Sequence, residues 1–521
     1  MKRDIALLVA WSVMAMLPAY FLGFGGHDAL IHGMWVKHFA VLLGDGIFYP
    51  RFADAMYQGR GNYVFFFYPP LTLYIGASFS LLAGSDANYY YTSLALSAHL
   101  AVIVGGLGFY WLARRNVGPA MLYMVMPYGL AYVFYIQAGM GMFWALAIFP
   151  YLMLAAGHVA SGARGIGFYA LTQGLLLLTN IPGAIIMSPL VGFYSLLFHR
   201  NLRALAHIAL GALLGLALAA IYVLPMLALK QYVNVDIHWS ERIGFDFRQN
   251  FVDGFDFSDE QHFLVFGIYV FYALWAVVLL AQYLRIERSR LNNILFVILF
   301  ISLSLCLSIS RPLWFVLPVL EVVQLPWRFM AICSLILPLL TVQLFSRDVL
   351  ALLILPLLVF SYGLAYERAA DPEGIEQRLI FNYQNGIDYY PAYIPAPKQV
   401  VDYFYNSPPE SIKPAEANGS GNREITATLS GKKGEVVTIN RFCIPFWEAG
   451  NMVSCNAETG LMQLTLDRDY AAEPVGIRLP LLRSEVVGMA VSALAFILVV
   501  LLVIRRSKGV PGRRFSTFGG I

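Results

Sequence analysis

The side chains best suited to proton transfer and anion binding crowd near the start of this chain. Gly26-His27-Asp28 comes first, then His32, Lys37 and His38, then Tyr49-Pro50-Arg51 and Gly59-Arg60-Gly61. An aromatic run from Val64 through Tyr68 leads into Pro69-Pro70-Leu71. The Asp28 carboxylate has two readings. It is a helix cap or the partner of a nearby cation, or it is a general base whose pKa burial moves toward working pH. His27 and His32 are either ordinary interfacial histidines or substrate contacts. A divalent metal held by His27 and Asp28, with His32, is a further option. The fork of Arg51 suits bidentate contact with a phosphate, of a substrate or of a lipid head group. Asp45 and Asp54 are other carboxylates of this stretch.

A second group opens a later apolar run with Gln324-Leu325-Pro326-Trp327-Arg328-Phe329-Met330. Trp327 suits an interfacial belt. Arg328 either snorkels toward water or lines a polar cavity with the first group. The stretch 230–262 holds Asp236, His238, Asp246, Asp253, Asp256 and Asp259. It is a solvated acidic loop or a cover over a bound substrate. The chain has no GxxxxGK[ST], no GxGxxG on a strand–helix unit and no HExxH, so nucleotide-driven pumping has no support. The formal net charge is only +4, and no nucleic-acid partner is expected.

Membrane helices must position these groups. Charged residues make up 13% and hydrophobic residues 59% of the 521, where a soluble domain carries about 25% charged. Apolar runs of about 20 residues, enough to cross a hydrocarbon core of about 30 Å, separate short charged loops. About twelve crossings are expected, at 5–23, 91–112, 118–137, 141–160, 166–181, 183–198, 204–226, 263–284, 291–309, 327–345, 348–366 and 485–504. With the N-terminus inside and 24–90 outside, the basic loops at Arg114-Arg115, Arg164, Arg200, Arg203, Arg285, Arg288, Arg290 and Arg347 fall inside. So does the tail Arg505-Arg506, as the positive-inside rule requires. Segment 66–84 is apolar enough to cross, but a crossing there would invert every later basic loop. It is expected to lie on the outer surface, started by Tyr68-Pro69-Pro70. The break at Asn180-Ile181-Pro182-Gly183 must be covered by protein or line a cavity.

Alternation in 424–429 and 436–439 predicts strands with one buried face. The expected organisation is a transmembrane domain over 1–366 with its outer loop 24–90, an extracytoplasmic β-rich domain over 367–484, and a helix with a basic cytoplasmic tail over 485–521. Cys443 and Cys455 lie in the β-rich block and would pair in an oxidising compartment. Cys306 and Cys333 lie in apolar runs and read as inert core. Trp447 and Tyr405 either stack on a ligand or fill a core.

Several of these features together resemble the GT-C superfamily of membrane glycosyltransferases. They are the acidic residue in the first outer loop, the run ending Tyr68-Pro69-Pro70-Leu71, the Asn180-Ile181-Pro182-Gly183 break, Pro326-Trp327-Arg328-Phe329 at a helix start, and the outer β-rich domain. Closer still, they resemble the membrane proteins labelled "6-pyruvoyl-tetrahydropterin synthase-related", a label that implies no pterin chemistry. The resemblance implies a GT-C-like fold and a sugar donor carried on polyprenyl phosphate. It implies transfer to a glycan, lipid or protein on the extracytoplasmic side of a bacterial plasma membrane. Asp28 matches the catalytic acidic residue. Arg51 and Arg328 are expected at the donor phosphate, with His27, His32 and Tyr68 as further substrate contacts. Many GT-C enzymes show two adjacent acidic residues where this chain has His27-Asp28, which leaves the divalent-metal question open. The rival readings are a lipid or glycan flippase and a non-catalytic assembly subunit. A transporter more often shows an internal repeat and ionisable groups near the bilayer midplane. Most expected helix interiors here lack Asp, Glu, Lys and Arg.

Overall fold

The computed structural model describes the chain except for residues 24, 54–55, 57–59, 84–88, 234–245, 287–288, 346, 368–416, 422, 451, 457–459 and 505–521. Asp54, Asp236, His238, Arg288, Tyr405, Arg505 and Arg506 therefore lie outside the described residues. In chain order the first helices are α1 (Lys2–Phe21), α2 (Ala29–Gly44), α3 (Val64–Phe67), α4 (Pro70–Ala83), α5 (Tyr89–Leu112) and α6 (Val117–Met124). A π-helix (Tyr128–Ile136) follows, then α7 (Met140–His158), α8 (Ala163–Leu177), α9 (Ile181–His199), α10 (Leu202–Leu218) and α11 (Ala220–Leu229). The later helices are α12 (Glu260–Tyr283), α13 (Arg290–Leu305), α14 (Arg311–Val316), α15 (Met330–Leu344), α16 (Arg347–Glu367) and α17 (Arg483–Ile504).

Every segment expected to cross is helical, but not all are of crossing length. Among the described residues eight helices are long and apolar enough alone: α1, Tyr91–Leu112, Val117–Ile136, α7, α9, α12, Pro326–Leu344 and α17. Two bent pairs raise the number to ten. Leu202–Leu218 meets Ala220–Tyr232 at 68°, and Arg290–Leu305 meets Ser308–Val316 at 92°. Among the described residues, eight to ten of the twelve expected crossings thus have the length and composition to span. Helix α8 has 15 residues, about 22 Å at 1.5 Å per residue, short of a core of about 30 Å. The described apolar part of α16 is only Leu352–Glu367. The chain is a multi-pass α-helical membrane protein with a small β unit near its C-terminus.

Helices α2 and α4 have 16 and 14 residues and are also too short to span. They pack on each other and on α5. A Cβ on Gly76 would come within 2.7 Å of Val36 Cγ2, so glycine there permits the close approach of α4 to α2. The face of the bundle that carries them is called the loop face below.

The β unit has two antiparallel three-stranded sheets. One is ordered β1 (Ala417–Gly421), β2 (Glu424–Gly431), β6 (Tyr470–Arg478). The other is ordered β3 (Val436–Phe442), β5 (Leu461–Thr465), β4 (Val453–Cys455). Strand β2 buries Ile425, Ala427 and Leu429 and exposes the residues between them, the period of two that marks a half-buried strand. Cys443 and Cys455 are disulfide-bonded, with their Cα atoms 5.4 Å apart.

The β unit docks on the first loop. Phe442 N–H donates to Arg60 O at 2.7 Å, and Tyr63 O–H donates to Phe442 O at 2.8 Å. Trp447 Nε1 donates to the Tyr63 hydroxyl at 2.9 Å, and Phe52 packs against both rings. Gly61 turns the chain with φ +86°, and a Cβ there would lie 1.9 Å from Phe52 Cζ. Trp447 is therefore buried packing and not an open platform for a sugar ring.

Candidate functional site

The geometry of the first loop begins in the π-helix, which starts after Pro127. Tyr132 N–H bonds Pro127 O at 2.9 Å and Gln137 N–H bonds Tyr132 O at 2.8 Å, each five residues back. The helix ends at Ala138, which is left-handed at φ +56°. The carbonyls of Ile136 and Gln137 then accept from His27 N–H at 3.0 Å and Asp28 N–H at 2.8 Å. The entrance to the first loop is thus pinned to the end of the π-helix by backbone bonds. Gly26 is required at this approach, since a Cβ would sit 2.8 Å from Ala138 N.

Asp28 occupies the N-cap position of α2 without making a side-chain cap bond, so its carboxylate is not spent on capping. It is half-buried, and His27 beside it is exposed. His32, one turn into α2, is buried and stacks on Trp35 with ring centroids 5.4 Å apart. Its Nδ1 lies 3.5 Å from the Tyr68 hydroxyl, long for a hydrogen bond. Burial pushes the His32 pKa down to about 4, so the ring is neutral near pH 7. Burial, reinforced by the nearby Asp28 charge, pushes the Tyr68 phenol up.

Tyr68-Pro69-Pro70 starts α4, and Leu71 N–H donates to Leu178 O at 2.9 Å. That contact covers the backbone freed between α8 and α9. Asn180 caps α9 through Gly183 N–H at 2.6 Å. A Cβ on Gly141 would lie 2.9 Å from Asn180 Nδ2 and 3.1 Å from Tyr68 Oη, so the break and the Tyr68 hydroxyl converge at Gly141.

Arg328 lies in a 3₁₀ turn (Pro326–Phe329) ahead of α15. Its Nη1 donates to Val323 O at 2.8 Å and to Gln324 Oε1 at 3.0 Å. Gln324 holds a strained φ of +66° to make this loop. Among the described residues, Nε and Nη2 of Arg328 have no protein acceptor. Its charge acts on Tyr128, Tyr132 and Asp28. Asp28 acts in turn on Tyr68 and Tyr132. Asp28 is tied by its backbone to the end of the π-helix, and Trp327, the neighbour of Arg328, reaches the Tyr132 hydroxyl, so Asp28, Tyr132 and Arg328 belong to one polar cluster where the first loop, the π-helix and the start of α15 meet, with Tyr68 near it. Gln261 and Trp327 border it. Gln261 Nε2 and Trp327 Nε1 both donate to the Tyr132 hydroxyl, at 2.7 and 3.2 Å.

Arg51 lies elsewhere. It is fully buried, with Nε 3.0 Å from Glu485 Oε1, Nη2 donating to Ile221 O at 3.0 Å and Nη1 to Phe65 O at 3.3 Å. Glu485 also takes Arg423 Nη2 at 2.6 Å. All three nitrogens of Arg51 are committed to protein, so the expected phosphate contact at Arg51 is corrected to a structural tie. The tie also satisfies the Ile221 carbonyl at the bend between α10 and α11, while Ser492 takes the Ile221 N–H at 2.8 Å.

The described acids of 246–259 are local fasteners. Asp246 pairs with Arg248, Asp253 receives Ser308 O–H and N–H, and Asp259 caps α12. Among the described residues no group of three His, Cys, Asp or Glu side chains is placed to hold a metal ion. His32 is turned to Trp35 and Tyr68, so it does not join His27 and Asp28 as a third ligand, and no step of the proposed reaction runs through a metal.

The π-helix, Tyr132 and Gln261 escaped the sequence. Tyr128, Tyr132 and Tyr135 lie inside the expected crossing 118–137, an apolar run in which no motif set them apart. Only their spacing with Gln137 in an otherwise apolar run offered a signal.

Fold and site together define a polytopic membrane protein with a partly buried polar cluster where its first loop meets the helix bundle. No protein-family profile matches this chain. No curated protein matches it either. A solved structure similar in part is that of the arabinofuranosyltransferase AftD from mycobacteria, at 12% identity and a TM-score of 0.40. The match covers 71% of this chain and 27% of that one, so this chain spans about a quarter of that protein's length. At that TM-score the likeness carries no conclusion about chemistry.

Proposed function

We propose that this protein is a membrane glycosyltransferase of GT-C type, moving a sugar from a polyprenyl-phosphate donor to an extracytoplasmic acceptor. One observation carries the reading. A carboxylate not used as a cap, Asp28, shares a cluster with Arg328, whose Nε and Nη2 have no acceptor among the described residues. A base and a cation are the two groups such a transfer needs. The sequence resemblance described above supports the same class.

The acceptor hydroxyl attacks the anomeric carbon while Asp28 takes its proton. The new carbon–oxygen bond forms as the bond to the phosphate oxygen breaks, and the electron pair leaves with the lipid phosphate. Arg328 stabilises that growing negative charge, which helps most where it binds the transition state better than the ground state. A single displacement needs one base and inverts the anomeric centre. A retaining path needs a second carboxylate about 5 Å from the first. Of the loop carboxylates, Asp45 lies at the far end of α2. Tyr68 and His27 border the base as substrate contacts, and His32, neutral and buried, packs beneath Tyr68.

In this reading the loop face is extracytoplasmic and the membrane is a bacterial plasma membrane. Residues 1–366 and α17 form the membrane domain, and 367–484 the outer domain that caps the first loop. The test is transfer of radiolabelled sugar from a panel of synthetic polyprenyl-phosphate sugars by the purified protein, with and without chelator. Transfer by the wild type that Asp28→Asn abolishes is the expected result. No transfer from any donor overturns the reading.

A further inference from the structure

Tyr132 sits in the middle of the π-helix and is fully buried. Its hydroxyl oxygen receives two donors, Gln261 Nε2 at 2.7 Å and Trp327 Nε1 at 3.2 Å. A phenolic oxygen has two lone pairs and one proton. With both lone pairs occupied, the hydroxyl can act only as a donor. Among the described residues nothing accepts that proton. A buried polar group left in this state is destabilising, and such groups call for an explanation.

The surroundings say what kind of acceptor is missing. Gln261 is itself placed by Asp259, which caps α12 through Gln261 N–H at 2.7 Å. Trp327 is fixed by edge contact with Phe255 at 5.1 Å. The two donors come from different elements, α12 and the turn ahead of α15, and both converge on this one oxygen. The next residue after Trp327 is Arg328, a cation whose Nε and Nη2 have no acceptor among the described residues. An O–H donor in contact with the turn that carries this guanidinium matches an anionic oxygen better than a neutral one. The π-helix adds weight, because this rare geometry is found frequently at functional sites.

We propose that Tyr132 donates its proton in a hydrogen bond to a phosphate oxygen of the lipid-linked donor, working as a pair with Arg328. The inference rests on the glycosyltransferase reading and deepens it by naming a second phosphate contact. As the phosphate leaves and gains charge, this hydrogen bond strengthens, so the contact serves the reaction as well as binding.

The experiment measures binding of a polyprenyl monophosphate and of the uncharged polyprenol of equal length to the purified full chain, wild type beside Tyr132→Phe. The wild type is expected to prefer the phosphate. Tyr132→Phe is expected to bind the phosphate roughly 10- to 100-fold more weakly, the range for a hydrogen bond to a charged group, while polyprenol binding is unchanged. If Tyr132→Phe keeps the wild-type preference, the inference is overturned and the donor reading stands. If it weakens both lipids equally, Tyr132 is only scaffold and the inference is again overturned. A wild type with no preference for the phosphate overturns the donor reading and this inference together.

Discussion

Arg51 and Glu485 stand 434 positions apart in the chain yet form a buried ion pair, Nε to Oε1 at 3.0 Å. The pair joins the first loop to the head of α17, and Arg423 brings the β unit to the same carboxylate. A buried carboxylate between two guanidinium groups is costly to disturb, because the charge left behind has no water to turn to. Glu485→Gln is expected to destabilise the protein by about 3–5 kcal/mol. Arg423→Gln should cost less, since Arg423 is partly exposed and Glu485 keeps Arg51. Thermal unfolding in detergent reads both. Equal melting temperatures for wild type and Glu485→Gln would show the pair to be incidental.

Asp28→Asn keeps size and shape and leaves the backbone bonds to Ile136 and Gln137 in place. Its melting temperature should match the wild type. Transfer should fall by about 10²- to 10⁴-fold, the usual worth of positioned proton transfer. Near-normal turnover in the folded variant would remove Asp28 from the base role.

Arg328 and Arg51 should respond in opposite ways. Arg328→Met is expected to lower transfer by at least about 100-fold with little loss of stability, because two of its nitrogens serve no described protein acceptor. Arg51→Met should unfold early and lose activity only in step with the folded fraction. Kinetics measured beside melting curves separate the two. The same pattern in both variants would contradict the division made here.

Gly61→Ala meets two obstacles at once, a φ of +86° and the Phe52 ring 1.9 Å from the new Cβ. A cost of at least about 2 kcal/mol is expected, from backbone strain and displaced packing. It should fall on the seam between the first loop and the β unit. Limited proteolysis is the direct readout, with faster cleavage in the β unit expected for Gly61→Ala.

Acid should weaken the fold through α2. Burial pushes His32 and His38 down to about 4 from a usual 6.5. Between those values the unfolded chain binds protons that the folded chain does not, so stability is full above about pH 6.5 and falls as pH drops toward 4. Each histidine contributes up to about 3 kcal/mol of that loss. Melting curves from pH 7.5 to 5 should slope downward, and His38→Leu should flatten the slope. A profile for His38→Leu as steep as the wild type would remove His38 from this account.

The amino-acid order by itself determined the helices, because a run of apolar residues must hide its backbone bonds within itself once it enters a bilayer. It marked strands at 424–429 and 436–439 through their period of two, within the observed β2 and β3. It also marked Asp28 and Arg328, as ionisable groups at helix mouths. Pattern alone could not tell Arg328 from Arg51. Both are arginines near a proline and an aromatic, and only tertiary structure gave one of them a buried carboxylate from the other end of the chain. Whether 204–226 and 291–309 cross as single spans was likewise decided by three-dimensional bends, since a run of apolar residues reads the same whether it continues straight or turns by 68° at Ala219. The π-helix was invisible for a related reason. Its bonds reach one residue further back than those of an α-helix, a shift that leaves the apolar run unchanged but redirects Tyr132 and the carbonyls that hold Asp28.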